Sequence, residues 1–219
     1  MNKKVKCFVL FCLAACVTIV LFACSCGGKR LTFNASFYFV CYKMQDDAFS
    51  ASSISSAVQS FGGAGYVVSY GGKYYITFAC YYGEEQAQSV CAALKDSGLD
   101  CEVLKVEVDG YDISEKNVGF AREYSGYLST LCQLADVLYN TANALDSGAV
   151  GQEAAKGIIS DARLSLQGLY KNPALGSFAE EMEYILSEFS EVCAGYVYAR
   201  DVRALQIALC DSVINADFL

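Results

Sequence analysis

The chain of 219 residues carries 24 acidic against 16 basic side chains, no histidine and a formal net charge of -8. Its apolar share of 54% is ample for real cores and argues against disorder. The acidic balance repels phosphate backbones, so no nucleic acid is expected as a partner.

The charge is unevenly divided. Residues 1 to 30 carry +5, residues 31 to 108 carry -4, and the remainder carries -9 from 7 basic and 16 acidic side chains. Lys3, Lys4 and Lys6 precede Cys7 to Cys24, a low-polarity run whose only hydroxyl is Thr18. At about 1.5 Å per residue a helix over that run spans roughly 27 Å, close to the hydrocarbon thickness of a bilayer. Residues 1–27 are therefore expected to form an N-terminal transmembrane helix, with 28–35 as a linker. The lysines favour an inside N-terminus, which leaves the bulk of the chain extracytoplasmic on the cytoplasmic membrane. Leu13-Ala14-Ala15-Cys16 also fits a bacterial lipobox, in which Cys16 is lipidated, and that alternative ends with the same outer-face tether.

Strand-like alternation begins at Ser36 and runs to Lys43, followed by a helix-compatible stretch from Ser50 to Phe61 and a short strand from Gly65 to Tyr70. A second strand–helix–strand unit follows at Lys73–Tyr81, Glu84–Ser97 and Leu99–Val108. Gly71-Gly72 between the middle strands is a hairpin signal, because glycine reaches the positive φ of primed turns. The order predicts an α+β domain over 36–108: a βαββαβ, ferredoxin-like, four-stranded antiparallel sheet with two helices on one face and the other face free. Along the first strand Phe37, Phe39 and Cys41 share one side and Tyr38, Val40 and Tyr42 the other. On the third strand Ile76 and Phe78 oppose Tyr75, Thr77 and Ala79. The purely apolar sets are assigned to the helix side.

Twelve cysteines raise the question of disulfides or metal. Five lie at or before residue 26, and the other seven lack the short spacing of a zinc knuckle. They are read as small buried apolar residues, with a bridge such as Cys41 to Cys80 left open.

Past Val108 the period changes. Residues 109–113 read as a linker, and 114–219 as an all-α three-helix bundle. Its first helix carries the stripe Phe120, Tyr124, Tyr127, Leu131, Leu134, Leu138, Ala142 and Leu145. A second runs from about Gln152 to Tyr170, and Asn172-Pro173 breaks the chain. The last helix is expected from Ser177 to Asn215, with Tyr196 in its buried seam and Gly195 as a weak point. Glu180, Glu181, Glu183, Glu188 and Glu191 read as its solvated face. A surplus apolar edge on these helices is the alternative, serving self-association or docking of a protein partner.

The segment GGKYYITFACYYGEEQAQSVCAALKDSGLDCEVLKV resembles the second half of a sporulation-related repeat (SPOR) domain, with a glycine turn, an aromatic strand, an acidic helix start and a Gly-Leu step into the last strand; FYFVCYKM is similar to its opening strand. Anchor, SPOR-like domain and helical C-terminal part together are similar in layout to the stage II sporulation protein B family. The resemblance implies binding of peptidoglycan glycan strands stripped of stem peptides, through the exposed sheet face, at a division or sporulation septum. Carried onto this chain, the glycan-binding residues are Tyr38, Val40, Tyr42, Tyr75 and Thr77. The family often has a polar residue where Val40 stands and a glycine where Tyr42 stands. The second reading is therefore a non-catalytic protein-interaction scaffold whose SPOR-like fold has lost glycan binding. No nucleophile elbow, phosphate loop or carboxylate constellation points to an enzyme, and no metal or cofactor is expected.

Overall fold

Aromatic and β-branched residues at alternate positions build four strands, and two helices separate them. The computed structural model describes residues 30–170 and 179–216. The anchor expected at 1–27 and the break at Asn172-Pro173 lie outside the described residues. Among the described residues no helix is long and apolar enough to cross a membrane.

The elements run β1 (Arg30–Gln45), α1 (Ala48–Ser60), β2 (Tyr66–Tyr70), β3 (Lys73–Tyr81), α2 (Glu84–Asp96) and β4 (Glu102–Asp112). The sheet order is β2-β3-β1-β4, with every neighbouring pair antiparallel. The βαββαβ order expected from the sequence is present. Asp47 caps α1 by accepting from the Ser50 amide at 2.8 Å and the Ser50 hydroxyl at 2.7 Å, and those two bonds hold its carboxyl below its ordinary range. Gly71 and Gly72, at φ 58° and 73°, make the turn between paired Tyr70 and Lys73. Glu84 and Glu85 open α2 and Lys95 closes it, as the helix dipole favours.

Gly63, just past α1, lies where no side chain fits. A Cβ there would meet Phe78 Cδ1 at 2.4 Å, Val58 Cγ1 at 2.6 Å and the Phe78 backbone at 3.1 Å. Because Phe78 belongs to a central strand, relief requires moving the sheet and not just a side chain. Gly63→Ala is expected to cost about 1–3 kcal/mol, read as a lower urea midpoint at unchanged slope.

After a 3-10 turn at Glu115–Phe120 come α3 (Ala121–Asp146), α4 (Gln152–Tyr170), α5 (Ala179–Ala194) and α6 (Ala199–Ile214). The single last helix expected over 177–215 is thus two helices. Gly195 to Tyr198 interrupts them, and Gln152 clamps the break: its Nε2 donates to the Val197 carbonyl at 2.9 Å while its Oε1 accepts from the Val197 amide at 2.8 Å. Among the described residues the three-helix bundle is corrected to four helices, for glycine and the amide clamp make a kink cheaper than continuity.

A larger correction concerns the sheet. Val40, Ile76 and Phe78 pack with Ala51 and Val58 of α1 and Ala87 and Cys91 of α2. Phe37, Phe39, Cys41, Val68, Cys80 and Val106 share a second core with Leu128, Leu131 and Leu138 of α3 and Leu205, Leu209 and Val213 of α6. The chain therefore stacks three layers, α1/α2, sheet and α3/α6, and neither sheet face is free. The two sides of β1 are the reverse of the assignment drawn from its apolarity. Register shifts between Val40 and Cys41 and between Cys41 and Lys43 put extra residues opposite each other, so alternation on one strand does not transfer to its neighbour. Of the expected linkers, residues 30–35 belong to β1 and 109–112 to β4: Leu31 pairs with Tyr111, and Leu31, Tyr111 and Ile113 are buried in the second core.

Candidate functional site

The five glycan-binding residues expected from the sequence do not form one surface. Tyr38, Val40 and Tyr42 lie on the α1/α2 side. Val40 is wholly buried, Tyr38 is half-buried with Lys105 Nζ 5.9 Å from its ring centre, and Tyr42 stands edge-on to Phe78 at 6.0 Å. Tyr75 packs, half-buried, against the core beneath α3 and α6. Thr77, on β3 opposite Cys41, is wholly buried and its hydroxyl donates to the Tyr66 carbonyl at 2.8 Å. A carbohydrate platform needs coplanar rings open to solvent. Here the set is divided between two covered faces, because the register shifts between Val40 and Lys43 put Tyr75 and Thr77 on the face opposite Tyr38, Val40 and Tyr42.

Concavity is found elsewhere. A cleft of about 310 Å³ opens where the edge strand β2 and the end of α1 meet α5 and α6, lined among others by Tyr66, Tyr184, Glu188, Glu191, Tyr196 and Asp201. Each wall has a local cause. Tyr66 starts β2, and its hydroxyl donates to Asp211 Oδ2 of α6 at 3.2 Å. Tyr184, Glu188 and Glu191 recur at helical spacing along α5, one turn apart. Tyr196 sits in the kink, 63% exposed, and its ring lies 4.8 Å from that of Tyr198, over which the Arg200 guanidinium rests at 4.7 Å. Arg200 also donates to the Gln59 carbonyl at 3.2 Å and lies 3.6 Å from Asp201, fastening α6 to α1.

Electrostatically the cleft is acidic. Partial burial, then the charge of Glu188 and a hydrogen bond to it, hold the Tyr184 phenol above its ordinary value. Among the described residues no lysine or arginine forms an ion pair with Glu188 or Glu191. Tyrosine faces beside unneutralised carboxylates suit an ammonium or guanidinium group, through cation–π attraction and charge together. They supply no nucleophile with a base beside it, and among the described residues no three potential ligands gather for a metal ion.

Sequence reading missed this site for identifiable reasons. Tyr196 falls on the helical seam when α5 and α6 are read as one helix, and the kink turns it outward. Glu188 and Glu191 look like an ordinary solvated face, and only the approach of β2 and α6 turns that face into the wall of a cleft. No protein-family model matches the chain, and neither a curated protein nor a solved structure matches it.

Proposed function

We propose that this chain is a non-catalytic interaction protein, tethered to the outer face of a bacterial cytoplasmic membrane in the setting of division or sporulation, in which the SPOR-like sheet serves as core and not as a carbohydrate platform. The observation that carries the reading is the cover on both sheet faces: Phe37 and Phe39 lie under α3 and α6, Val40 and Ile76 under α1 and α2. The partner surface is the acidic, tyrosine-lined cleft between β2, α5 and α6, and a lysine- or arginine-bearing segment of another extracytoplasmic protein is the occupant its charge favours. The resemblance to SPOR domains and the lysine-flanked apolar N-terminus support the setting.

A second reading has one observation in its favour. Tyr184 and Tyr196 are 59% and 63% exposed at the rim of the cleft, and tyrosine rings flanked by acceptors also suit a pyranose face. Retention of the chain on amidase-treated peptidoglycan separates the two. The scaffold reading expects no retention above that of an unrelated acidic domain. Retention that survives Tyr38→Ala but is lost in the Tyr184→Ala, Tyr196→Ala double variant would move the function to glycan binding in the cleft.

A further inference from the structure

Helix α2 ends in a turn that folds the chain back beneath itself. Ser97 closes the helix, Gly98 takes φ 85°, the Gly98 amide donates to the Lys95 carbonyl at 2.9 Å and the Leu99 amide to the Leu94 carbonyl at 3.0 Å. That pair of bonds is a Schellman closure, which fixes the exit direction of the chain. The exit leads within three residues to Cys101, at the foot of β4. Cys91, on the buried side of α2, waits there: the two sulfurs are 2.7 Å apart, and Cys101 Sγ also lies 3.1 Å from the Cys91 carbonyl. Both residues belong to the core that α2 makes with the sheet.

We propose that Cys91 and Cys101 are a disulfide-forming pair that staples α2 to β4. Non-bonded heavy atoms prefer separations of about 3.5–4.0 Å, whereas a disulfide requires about 2.05 Å. From 2.7 Å the bond needs less than an ångström of side-chain motion. The pair is pre-aligned by backbone hydrogen bonds that exist without it, so closure adds little distortion. Chemically, one thiolate attacks a disulfide of an external oxidant, giving a mixed disulfide. The second thiol then displaces the oxidant's sulfur, so that two thiols of this chain become one S–S bond and the oxidant leaves as a dithiol carrying both electrons and both protons. The oxidant is of the thiol-oxidoreductase or small cyclic disulfide class. Burial, then contact with Cys91, pushes the Cys101 thiol up to about 12, which keeps thiolate scarce and makes unassisted oxidation slow.

The bond closes a loop running from Cys91 to Cys101, and loops of this size gain appreciable stability from cross-linking. The full-length chain is reduced, unfolded and refolded in excess oxidised dithiothreitol, remaining thiols are trapped with N-ethylmaleimide in denaturant, and the protein is digested without reductant. The expected result is a peptide pair joined through Cys91 and Cys101, two hydrogens lighter than the separate peptides, and a melting temperature that falls by about 5–10 °C on reduction. Cys91→Ser and Cys101→Ser should each abolish that fall, and Cys132→Ser should leave it. Maleimide on both Cys91 and Cys101 after oxidant treatment would overturn the proposal, and this readout needs no variant to fold. Trapping the thiols directly in cells addresses the compartment separately: a pair that closes with dithiothreitol and yet is free in cells would count against the extracytoplasmic placement and not against the pair.

Discussion

Cutting the chain after Ile113 is expected to leave a fragment that holds strands and helices but lacks cooperative unfolding, binds hydrophobic dyes and shows poor amide dispersion. The cut removes α3 and α6 and uncovers Phe37, Phe39, Val68, Val106 and Tyr111, all buried in the core shared between sheet and helices. At about 1.5–3 kcal/mol for each large apolar side chain returned to water, the loss is on the order of 10 kcal/mol, as large as the whole stability of many domains. Directional contacts go with it. Gln206 of α6 donates to the Cys80 carbonyl of β3 at 3.1 Å, and the Tyr111 hydroxyl donates to the Val213 carbonyl. Amide exchange on the 30–113 fragment beside the intact chain measures the outcome. A fragment that unfolds cooperatively with native-like protection would mean that the helical layer is an accessory that can lift, and it would restore the sheet to candidacy as a glycan platform.

Gln206→Glu should convert a neutral buried contact into a pH-dependent defect. Gln206 is wholly buried between α6 and β3, where its Nε2 is bonded and its Oε1 has no hydrogen-bond partner among the described residues. A carboxyl group at this site cannot ionise without losing its hydration, so its folded pKa rises far above the value of about 4.3 that it has when unfolded. The folded state then binds the extra proton. Stability of the variant is therefore greatest below about pH 4 and falls by about 1.4 kcal/mol per pH unit as the pH climbs through the interval between the unfolded and folded pKa values. By pH 7 the deficit reaches about 3–4 kcal/mol, or a melting point lower by roughly 6–16 °C than at the acid end after subtracting the parent's own profile. Thermal denaturation from pH 4 to 8 reads this slope, and a flat difference profile would show that water reaches the site.

The failed expectations share a cause. Phe37-Phe39-Cys41 and Tyr38-Val40-Tyr42 are both apolar enough to be covered, and in this chain both are, the first set and Val40 buried and the two tyrosines half-buried. Reading one as covered and the other as open assumed a two-layer domain, and nothing in the polarity of β1 separates two layers from three. Tyrosine sharpens the difficulty, since its ring packs in a core and its hydroxyl tolerates a rim equally well. Apolar stripes on α3 and α6 were legible at helical spacing, yet a stripe does not name its partner. Another helix and a sheet face present the same hydrocarbon to it.

Local grammar did speak plainly. Gly71-Gly72 announced the hairpin, and the alternation on either side announced β2 and β3, because each depends on backbone conformation within a few residues. Whether Tyr184 and Tyr196 share a cleft with Glu188, and whether Cys91 meets Cys101, depends on how segments converge in space. Burial rewards any apolar contact almost equally, so the choice among partners is made only when all the layers pack at once, and the chain's working surfaces were settled at that step.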